Sequence, residues 1–487
     1  NGRHTAPGLP LLANDPHLEL NVPSIWYLAH LALPETDIIG ATIAGFPSCI
    51  LGRNDRIAWG FTNTGADVQD LYIEQLNPDD DNQYLTPGGF ADFKKRVEFI
   101  KVRFGRDLSV TLDETRHGPV LPKNWQGSSA ILRKDQVLAL KWTAFDPNDT
   151  TAVAGLDIMD GKDWSDVLSA LEAYRLPMQN IVFADIDGNI GFIAPARVPV
   201  RHPNNRAEGQ LPVPGWNQIY DWKGFVPFDE LPMQFNPSSG VIVTANQKIV
   251  ADDFPHMITR DWELPLREKH IRKLLESSVQ HTVSSFREIQ LDNVSPIADR
   301  FLAALLTTPI NSERGRWAGD LLSRWNGAMD IDLPEPLIFA AWLRELTRAT
   351  FADELGPEFL RHWSYRPSFM EQVLTPNTPE ARWCDNIATP QQESCDALID
   401  ESLEKALISL EDEFGSDRAK WRWGDAHFSF HAHNPFSAIP ILSDLFTLKE
   451  PSPGGFYTIN RGGHWFADES PFANVHGSGY RAIYDMS

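Results

Sequence analysis

Three strand-like segments of the sequence end in polar residues whose amides could take part in acyl-transfer chemistry. They are the turn Asn14–His17 within "LLANDPHLEL", the segment "GRNDRIAWGFTNTGADVQDLY" from Gly52 to Tyr72, and "SSGVIVTANQK" from Ser238 to Lys248. Where a strand ends, its backbone N–H groups leave the ladder and need other acceptors. Acyl transfer needs such donors, together with an amide side chain, to stabilise a tetrahedral oxyanion. Taken singly, each segment also has the composition of an ordinary turn.

Other catalytic signatures are absent from the sequence or are explained better as structure. There is no HExxH, no Walker lysine loop and no GxSxG nucleophile elbow. "SLEK" (Ser402–Lys405) has the serine–lysine spacing of penicillin-binding enzymes, but it lies in a helical pattern without the companion motifs, so we interpret it as surface helix. In "HFSFHAH", His427, His431 and His433 suggest a zinc site, whereas their alternation with phenylalanine favours a strand with a structural role.

The composition is that of a globular protein and limits the classes of partner. Of 487 residues, 42% are hydrophobic and 22% are charged, and no uncharged run is long enough for a membrane helix. The net charge of −23 argues against a nucleic-acid or anionic-membrane partner and makes a bound cation easier to accommodate. The 16 tryptophans raise a glycoside hydrolase alternative, but no pair of acids stands out as its acid and base.

The three cysteines leave the redox compartment open at this point. Cys384 and Cys395 lie in the short polar segment "WCDNIATPQQESC" and could close a small disulfide loop, which would imply an oxidising compartment. Two unpaired thiols are the alternative. Cys49 lies among apolar neighbours in "GFPSCILG" and is predicted to be a buried small hydrophobic residue.

The hydrophobic pattern predicts an α+β architecture in which both ends of the chain supply sheet. Short strand-like runs such as "NIVFADIDGNIGFIA" and "GVIVTAN" fill the first half, and a helical period begins near Leu266. We predict the first part of the core at 1–75, a β-rich segment at 76–145, core strands and a helix at 146–265, a mainly helical region at 266–420 and a return to the core at 421–487. The last run, "YRAIYDMS", ends within a strand-like pattern, so we expect a truncated end.

The order and wording of several segments carry a family resemblance. "GLPLLANDPHL", "GRNDRIAWGFTNTGADVQDLY", "FADIDGNIGFIA", "LPVPGW", "DWKGFVPFDELP", "NPSSGVIVTAN" and "WRWGDAHF" follow one another along the chain. Together they resemble the penicillin acylase family of N-terminal-nucleophile hydrolases, over nearly the whole chain. The resemblance implies an α+β fold, a four-layer αββα sandwich with a β-rich insertion and a helical region.

The resemblance also implies an amide hydrolase made from a self-cleaving precursor. In the family, the large (beta) subunit begins with a serine whose hydroxyl attacks the amide, with its own α-amino group as base. This places the nucleophile about half a dozen residues before Asn1, which itself has no hydroxyl or thiol. We therefore expect a large-subunit fragment whose partner is the small (alpha) subunit, in a periplasmic or secreted protein.

Four residues match catalytic positions of the family. The resemblance implies that the backbone carbonyl of His17, and in some members its imidazole, contacts the nucleophilic serine. It gives the backbone N–H of Asn63 and the side-chain amide of Asn246 as the two halves of an oxyanion hole. Arg267 in "PLREKHI" matches an arginine that orders Asn246 and the amino terminus, and a simple charge at a helix start is its alternative.

The segment "GADVQDLY" resembles the family's calcium loop. Asp67 and Asp70 would supply carboxylates, and Gln69 and Gly209 would supply backbone carbonyls, a mixture that suits Ca²⁺. One family ligand comes from the small subunit, and a later aspartate has no clear match in "ADDFPHMITRD". A solvated acidic loop without metal is the alternative.

The predicted acyl pocket departs from that of phenylacetyl-selective members. Leu18, Leu51 and Gly65 stand where those members carry aromatic rings, which favours a longer or aliphatic acyl group, as in acyl-homoserine lactone acylases. A methylene in such a pocket is worth only about 1–3 kcal/mol, so three positions do not fix specificity. A non-catalytic binding relative of the same fold is the main alternative to an enzyme.

Overall fold

The computed structural model describes residues 1–34, 36–467 and 469–487. Its strands are β1 (Leu11–Asn14), β2 (His17–Glu19), β3 (Asn21–Val22), β4 (Trp26–Ala32), β5 (Asp37–Ile43), β6 (Cys49–Arg53), β7 (Ile57–Asn63), β8 (Gln69–Asn77), β9 (Asp80–Thr86), β10 (Gly89–Asp92), β11 (Lys94–Ile100), β12 (Leu108–Thr115), β13 (Gly118–Pro119), β14 (Gln136–Trp142), β15 (Gln179–Asp185), β16 (Ile190–Ile193), β17 (Pro199–Val200), β18 (Val213–Pro214), β19 (Gly224–Phe225), β20 (Met233–Phe235), β21 (Phe428–His433), β22 (Leu448–Pro451), β23 (His476–Ser478) and β24 (Ala482–Asp485). Its α-helices are α1 (Thr151–Asp157), α2 (Trp164–Leu171), α3 (Leu266–Glu276), α4 (Val283–Gln290), α5 (Pro296–Leu305), α6 (Glu313–Leu322), α7 (Glu335–Leu355), α8 (Phe359–His362), α9 (Pro367–Leu374), α10 (Cys395–Phe414), α11 (Trp423–Ala426) and α12 (Pro440–Phe446). Short 3-10 helices lie at Gly2–His4, Trp125–Ala130, Thr143–Phe145, Ile158–Asp160, Gln218–Tyr220, Phe228–Glu230, Gly356–Glu358, Pro379–Cys384, Arg418–Lys420 and Phe436–Ala438.

The chain divides into two compact units. The first comprises Ala29–Leu264 with Asn1 and Met486, and the second comprises Gly2–Leu28 and Pro265–Asp485 with Ser487. The long run of helices begins at α3, immediately after the division. No helix in the described ranges is long and apolar enough to cross a membrane.

A seven-stranded sheet is the scaffold of the first unit. Its strand order is β20-β16-β15-β7-β6-β5-β4, and the pairs β15–β16, β15–β7, β6–β7 and β5–β6 are antiparallel. The run "NIVFADIDGNIGFIA" forms the hairpin of β15 and β16. Asp185 makes its turn, because its Oδ1 accepts from the N–H groups of Asp187 and Asn189 at 3.0 and 2.8 Å, and Gly188 takes a φ of 95°.

Apolar side chains cover both faces of this sheet. On one face, Trp59 and Ile181 pack with Val167 and Leu171 of α2, which begins at Asp163 because its side chain caps the N–H of Asp166. The opposite face carries a second cluster from β16 and the irregular segments that follow it. Each aliphatic side chain that is fully buried in this way contributes about 1.5–3 kcal/mol. The sheet is therefore a rigid support for whatever its strand ends carry.

The rest of the first unit is also β-rich. β14 pairs with β8 in antiparallel register, β9 and β10 continue that sheet, and β18 joins β8 in parallel. A separate three-stranded sheet has the order β11-β12-β13. The buried face of β8 is polar, because every second side chain is buried and these are Asp70, Tyr72 and Glu74.

The second unit is mainly helical. α7 is buried around most of its circumference, and Trp342 at its centre donates through Nε1 to the carbonyl of Ile399 at 3.2 Å and to Ser402 Oγ at 3.1 Å on α10. Ser402 is therefore helical as predicted, but the interpretation as surface helix is wrong for it, because α7 covers this face of α10. Cys384 and Cys395 form a disulfide at the start of α10, which resolves the alternative left open by the sequence. Cys49 of the first unit is buried, as predicted.

Short sheets in the second unit pair the beginning of the chain with its end. β1 pairs with β24, β2 with β23, and β3 with β21. β21 confirms the strand predicted at "HFSFHAH". His427 precedes it, fully buried, with Nδ1 2.6 Å from the carbonyl of Phe472 and its ring stacked on Trp423. This histidine has the structural role that its pattern favours.

Candidate active site

The end of β7 places the backbone of Asn63 at the edge of the main sheet. Asn63 lies opposite Gln179 on β15, and one residue further the N–H of Thr64 donates to the carbonyl of Met178 at 3.3 Å. Bonded and non-bonded pairs alternate along an antiparallel ladder. Because Thr64 and Met178 form a bonded pair, Asn63 and Gln179 form a non-bonded one. The N–H and C=O of Asn63 therefore point away from β15.

Asn246 lies beside this strand end. Its Nδ2 donates to the carbonyl of Asn63 at 2.8 Å. In a strand, the N–H and C=O of one residue project from the same edge, so Nδ2 lies on the edge from which the Asn63 N–H also projects. The structure thus brings together the two amides that the sequence predicts as partners. An oxygen bound at this edge can accept from both of them once Nδ2 turns from the carbonyl.

The segment that leads to Asn246 is not the strand that "GVIVTAN" predicts. Gly240–Thr244 are irregular, and Asn246 has a φ of 69°, a left-handed conformation that asparagine tolerates. The Gln247 side chain accepts from the N–H of Ala245 at 2.7 Å and donates to the carbonyl of Val243 at 3.1 Å. These bonds satisfy backbone groups that a strand would pair with a neighbour, so the strand prediction is wrong here.

Further polar side chains fix this edge, and sequence reasoning misses them. Asn180 on β15 is buried, and its Nδ2 lies 3.4 Å from the carbonyl of Asn63 while its Oδ1 accepts from the hydroxyl of Thr64 at 3.0 Å. The hydroxyl of Thr62 donates to Oγ1 of Thr244 at 2.9 Å. Asn180 could have been found from the sequence, because it is the lone asparagine at the start of the apolar run "NIVFADI". A side-chain amide that is buried with such a run needs hydrogen-bond partners.

The three predicted pocket residues differ in exposure. Leu51 on β6 is 1% exposed, whereas Leu18 on β2, in the second unit, is 37% exposed. Gly65 takes a φ of 72°, and no described atom beyond its chain neighbours lies within 4 Å of the position that a Cβ would occupy. In the described chain Leu51 is thus part of the packed interior, and Leu18 and Gly65 remain accessible to a ligand.

In the second unit, a buried group of charges surrounds the turn between β1 and β2. Oδ2 of Asp15 lies 3.8 Å from Nε of Arg481 and 3.9 Å from Nε2 of His17. Burial raises the pKa of Asp15 to about 7, against the opposing charges of Arg481 and Arg267. Burial also lowers the pKa of His17 well below its usual value, and Arg267 lowers it further. His17 is therefore a neutral imidazole near pH 7.

Sequence reasoning identified only part of this group. Arg267 is buried in the first turn of α3, and the role predicted for it toward Asn246 stays a prediction, as does that of His17 toward the nucleophile. Arg461, His476 and Arg481 were missed because they come from the far end of the chain. Burial and the charge of Arg461 lower the pKa of His476 to about 4. Their arrangement depends on the pairing of β1 and β2 with β24 and β23.

The guanidinium of Arg201, from a distant part of the chain, lies within the predicted calcium loop. Nη2 of Arg201 lies 2.5 Å from Oδ1 of Asp70, and Nε lies 3.2 Å from its Oδ2. The same Nη2 contacts the carbonyl of Asp67 at 3.1 Å and its Oδ1 at 3.4 Å. Nε1 of Trp222 also donates to Oδ2 of Asp70, at 2.8 Å. One guanidinium therefore bridges both predicted metal-binding carboxylates.

Gly209, another predicted ligand, lies against the same guanidinium. Gly209 has a φ of 87°, and a Cβ there would lie 2.6 Å from Nη2 of Arg201. Burial raises the pKa of Asp67 to about 6, opposed by Arg201 and assisted by the negative charges of Asp70 and Asp261. Asp261 is the last residue of "ADDFPHMITRD", the segment in which the sequence shows no clear match for the later aspartate. Across 1–34, 36–467 and 469–487, no three acidic, histidine or cysteine side chains lie close enough to hold a metal ion. As arranged, the residues fit a guanidinium rather than Ca²⁺.

Asp15→Asn is expected to make stability less dependent on pH between about pH 4 and pH 7. Folding raises the pKa of Asp15 from 3.8 to about 7, so its favourable contribution is present below the unfolded pKa and is lost as pH rises through the folded pKa. Melting temperatures of the whole protein across this range would measure the effect. Asp412→Asn, which changes an exposed acid on α10, is the control and should follow the wild type. Identical pH profiles for all three proteins would contradict the assignment.

Known proteins resemble this chain over most of its length. An acyl-homoserine lactone acylase, QuiP, of Pseudomonas aeruginosa is 30% identical over 455 residues, which cover 86% of this chain and 52% of that protein. Penicillin acylase 2 proenzyme of Pseudomonas sp. (strain SE83) is 32% identical over 350 residues, which cover 72% of this chain and 44% of that protein. The chain thus spans about half the length of the curated relatives it matches.

The fold and the family follow from two further matches. A thermostable penicillin G acylase from Alcaligenes faecalis, in an orthorhombic form, superposes with a TM-score of 0.74 at 21% identity, covering 93% of this chain and 85% of that one. This likeness confirms the predicted fold class. The family model described as penicillin amidase matches residues 1–487. The chain therefore belongs to the penicillin amidase family.

Proposed function

We propose that this chain forms most of the large subunit of an amidohydrolase that removes the acyl group from an amide, such as a β-lactam antibiotic or an N-acyl-homoserine lactone. The observation that carries the proposal is the pairing of Asn246 Nδ2 with the strand edge of Asn63, 2.8 Å from its carbonyl. Family membership supports amide hydrolysis as the reaction. The two relatives, named an acyl-homoserine lactone acylase and a penicillin acylase, support the two substrate classes.

The proposed nucleophile is an N-terminal serine that precedes Asn1. Its hydroxyl attacks the carbonyl carbon of the amide while its α-amino group accepts the proton. The new C–O bond moves an electron pair onto the carbonyl oxygen, and collapse of this intermediate breaks the C–N bond. The amine leaves with the proton, and water then hydrolyses the acyl-serine ester to the carboxylic acid.

The described residues act when the oxyanion forms. The N–H of Asn63 and Nδ2 of Asn246 donate to the oxygen as it becomes negative, and one such donor is worth about 3–4 kcal/mol in the transition state. The loop around Asn246 is held in place before the reaction by the side chain of Gln247. Nδ2 exchanges a bond to a neutral carbonyl for one to an anion, which is the stronger acceptor.

The partner and the compartment follow from the same proposal. A relative named as a proenzyme supports a precursor that supplies the small subunit. The disulfide between Cys384 and Cys395 supports an oxidising compartment, and hence a periplasmic or secreted protein.

Expression of the complete gene is expected to give two chains, the larger beginning with serine shortly before Asn1. Intact mass measurement and N-terminal sequencing of the purified protein would test this. A single uncut chain, or a cut that exposes a residue without a nucleophile, would favour a non-catalytic binding protein of the same fold.

Asn246→Asp is expected to lower kcat by roughly a hundredfold or more, because the carboxylate keeps the shape of the side chain but cannot donate to the oxyanion. Steady-state kinetics of the processed enzyme would measure the change. Asn236→Asp is the matched control, since Asn236 is a second left-handed asparagine of the first unit, with a φ of 46°. It should leave kcat unchanged. Near-normal turnover of Asn246→Asp would remove Asn246 from the oxyanion hole.

The acyl profile is expected to favour a longer or aliphatic chain over phenylacetyl. Leu18 is accessible on β2, and Leu18→Phe should shift preference toward phenylacetyl by about 10- to 200-fold, the range for small changes in an apolar pocket. Values of kcat/KM for a series of N-acyl-homoserine lactones and for phenylacetyl penicillin would test this. A wild-type maximum at phenylacetyl would contradict the proposal.

A further inference from the structure

We propose that Arg201 is the resident cation of the acidic loop Asp67–Asp70, and that the loop therefore holds its conformation without a divalent metal. The guanidinium contacts Asp70 through two nitrogens, at 2.5 and 3.2 Å, and reaches the carbonyl and carboxylate of Asp67 at 3.1 and 3.4 Å. It thus lies among the oxygens that a calcium ion would need.

The burial of Asp70 favours a cation at this place. The Asp70 side chain is 2% exposed and that of Arg201 is 6% exposed. A compensating charge together with hydrogen bonds stabilises a carboxylate that is removed from water to this extent. A two-nitrogen contact from arginine supplies both, because the planar guanidinium matches the geometry of a carboxylate.

The oxygens of Asp70 are already engaged. Oδ1 accepts from Nη2 of Arg201, and Oδ2 accepts from Nε of Arg201 and from Nε1 of Trp222, the latter at 2.8 Å. Calcium requires six to eight oxygen ligands at 2.3–2.6 Å. A calcium ion at the position of Nη2 would have to displace the guanidinium, which would then be a buried cation without its partner.

The backbone around Arg201 is also shaped to the guanidinium. At Gly209, a Cβ would lie 2.6 Å from Nη2 of Arg201 and 2.7 Å from Oδ1 of Asp70. Glycine thus lets the chain close onto the ion pair, and its φ of 87° is one that other residues rarely adopt. Nη1 is buried without an acceptor in the described ranges, so the pair engages two of the three guanidinium nitrogens.

The ion pair also fixes the loop that follows the end of β7. Asp67 follows Asn63 by four residues along the chain, and its N–H donates to the carbonyl of Ile258 at 2.8 Å. Arg201 holds the carbonyl and carboxylate of the same residue. The loop that leaves β7 is therefore fixed by bonds that need no metal.

The test uses the complete processed enzyme and compares the wild type with Arg201→Met and Arg260→Met. Arg260 is a matched control, because it lies in the same unit and its guanidinium pairs with Glu208 at the surface. Melting temperature would be measured in EDTA and after titration with calcium chloride alone, and calcium binding would be followed by calorimetry. These readouts do not depend on activity, so they are independent of the proposed function.

The wild type and Arg260→Met are expected to bind no calcium and to melt at the same temperature with and without it. Arg201→Met should lose several degrees in EDTA and regain part of the loss with calcium, because the freed carboxylates then accept the metal. If Arg201→Met does not fold, Arg201→Lys keeps one charge and should show a smaller loss. Calcium binding that raises the melting temperature of the wild type would overturn the proposal, as would a soluble Arg201→Met that gains nothing from calcium.

Discussion

The hydrogen bond from the N–H of Thr64 to the carbonyl of Met178 sets the direction in which Asn63 faces. Because bonding alternates along an antiparallel ladder, a register shifted by one residue would turn the amide of Asn63 into the sheet. The buried clusters on both faces of the sheet hold β7 and β15 in this register. Nδ2 of Asn246 can then donate to the carbonyl of Asn63. The amides of Asn63 and Asn246 therefore lie on one edge of the strand.

Two buried aspartates show how much the distance to an arginine matters. Asp70 meets the guanidinium of Arg201 at hydrogen-bond distance, so burial is compensated by charge and geometry together. Asp15 has its nearest arginine nitrogen, on Arg481, at 3.8 Å, which is too long for a hydrogen bond. Burial then outweighs the attraction, and the pKa of Asp15 rises to about 7. The first carboxylate holds a loop in place, and the second can exchange a proton near neutral pH.

Local pattern predicted many elements correctly, and its failures have physical reasons. "HFSFHAH" forms β21 and "NIVFADIDGNIGFIA" forms a hairpin, because alternation and turn residues are properties of the segment itself. "GVIVTAN" has the same β-branched composition, yet side-chain bonds from Gln247 replace the ladder there. Ser402 was expected at a surface, and α7 buries it. Periodicity describes one element and cannot indicate which other element covers it.

The sequence by itself determined the family, the class of fold and the segments that carry the amides at Asn63 and Asn246, because these depend on residue types and on their order along the chain. Only the tertiary structure decided which side chains meet. Arg201 lies between Asp67 and Asp70, and Arg481 lies beside Asp15. Such pairs join residues far apart in sequence, and their strength depends on burial and on distances of a few tenths of an ångström. Neither quantity exists until the strands and helices have packed.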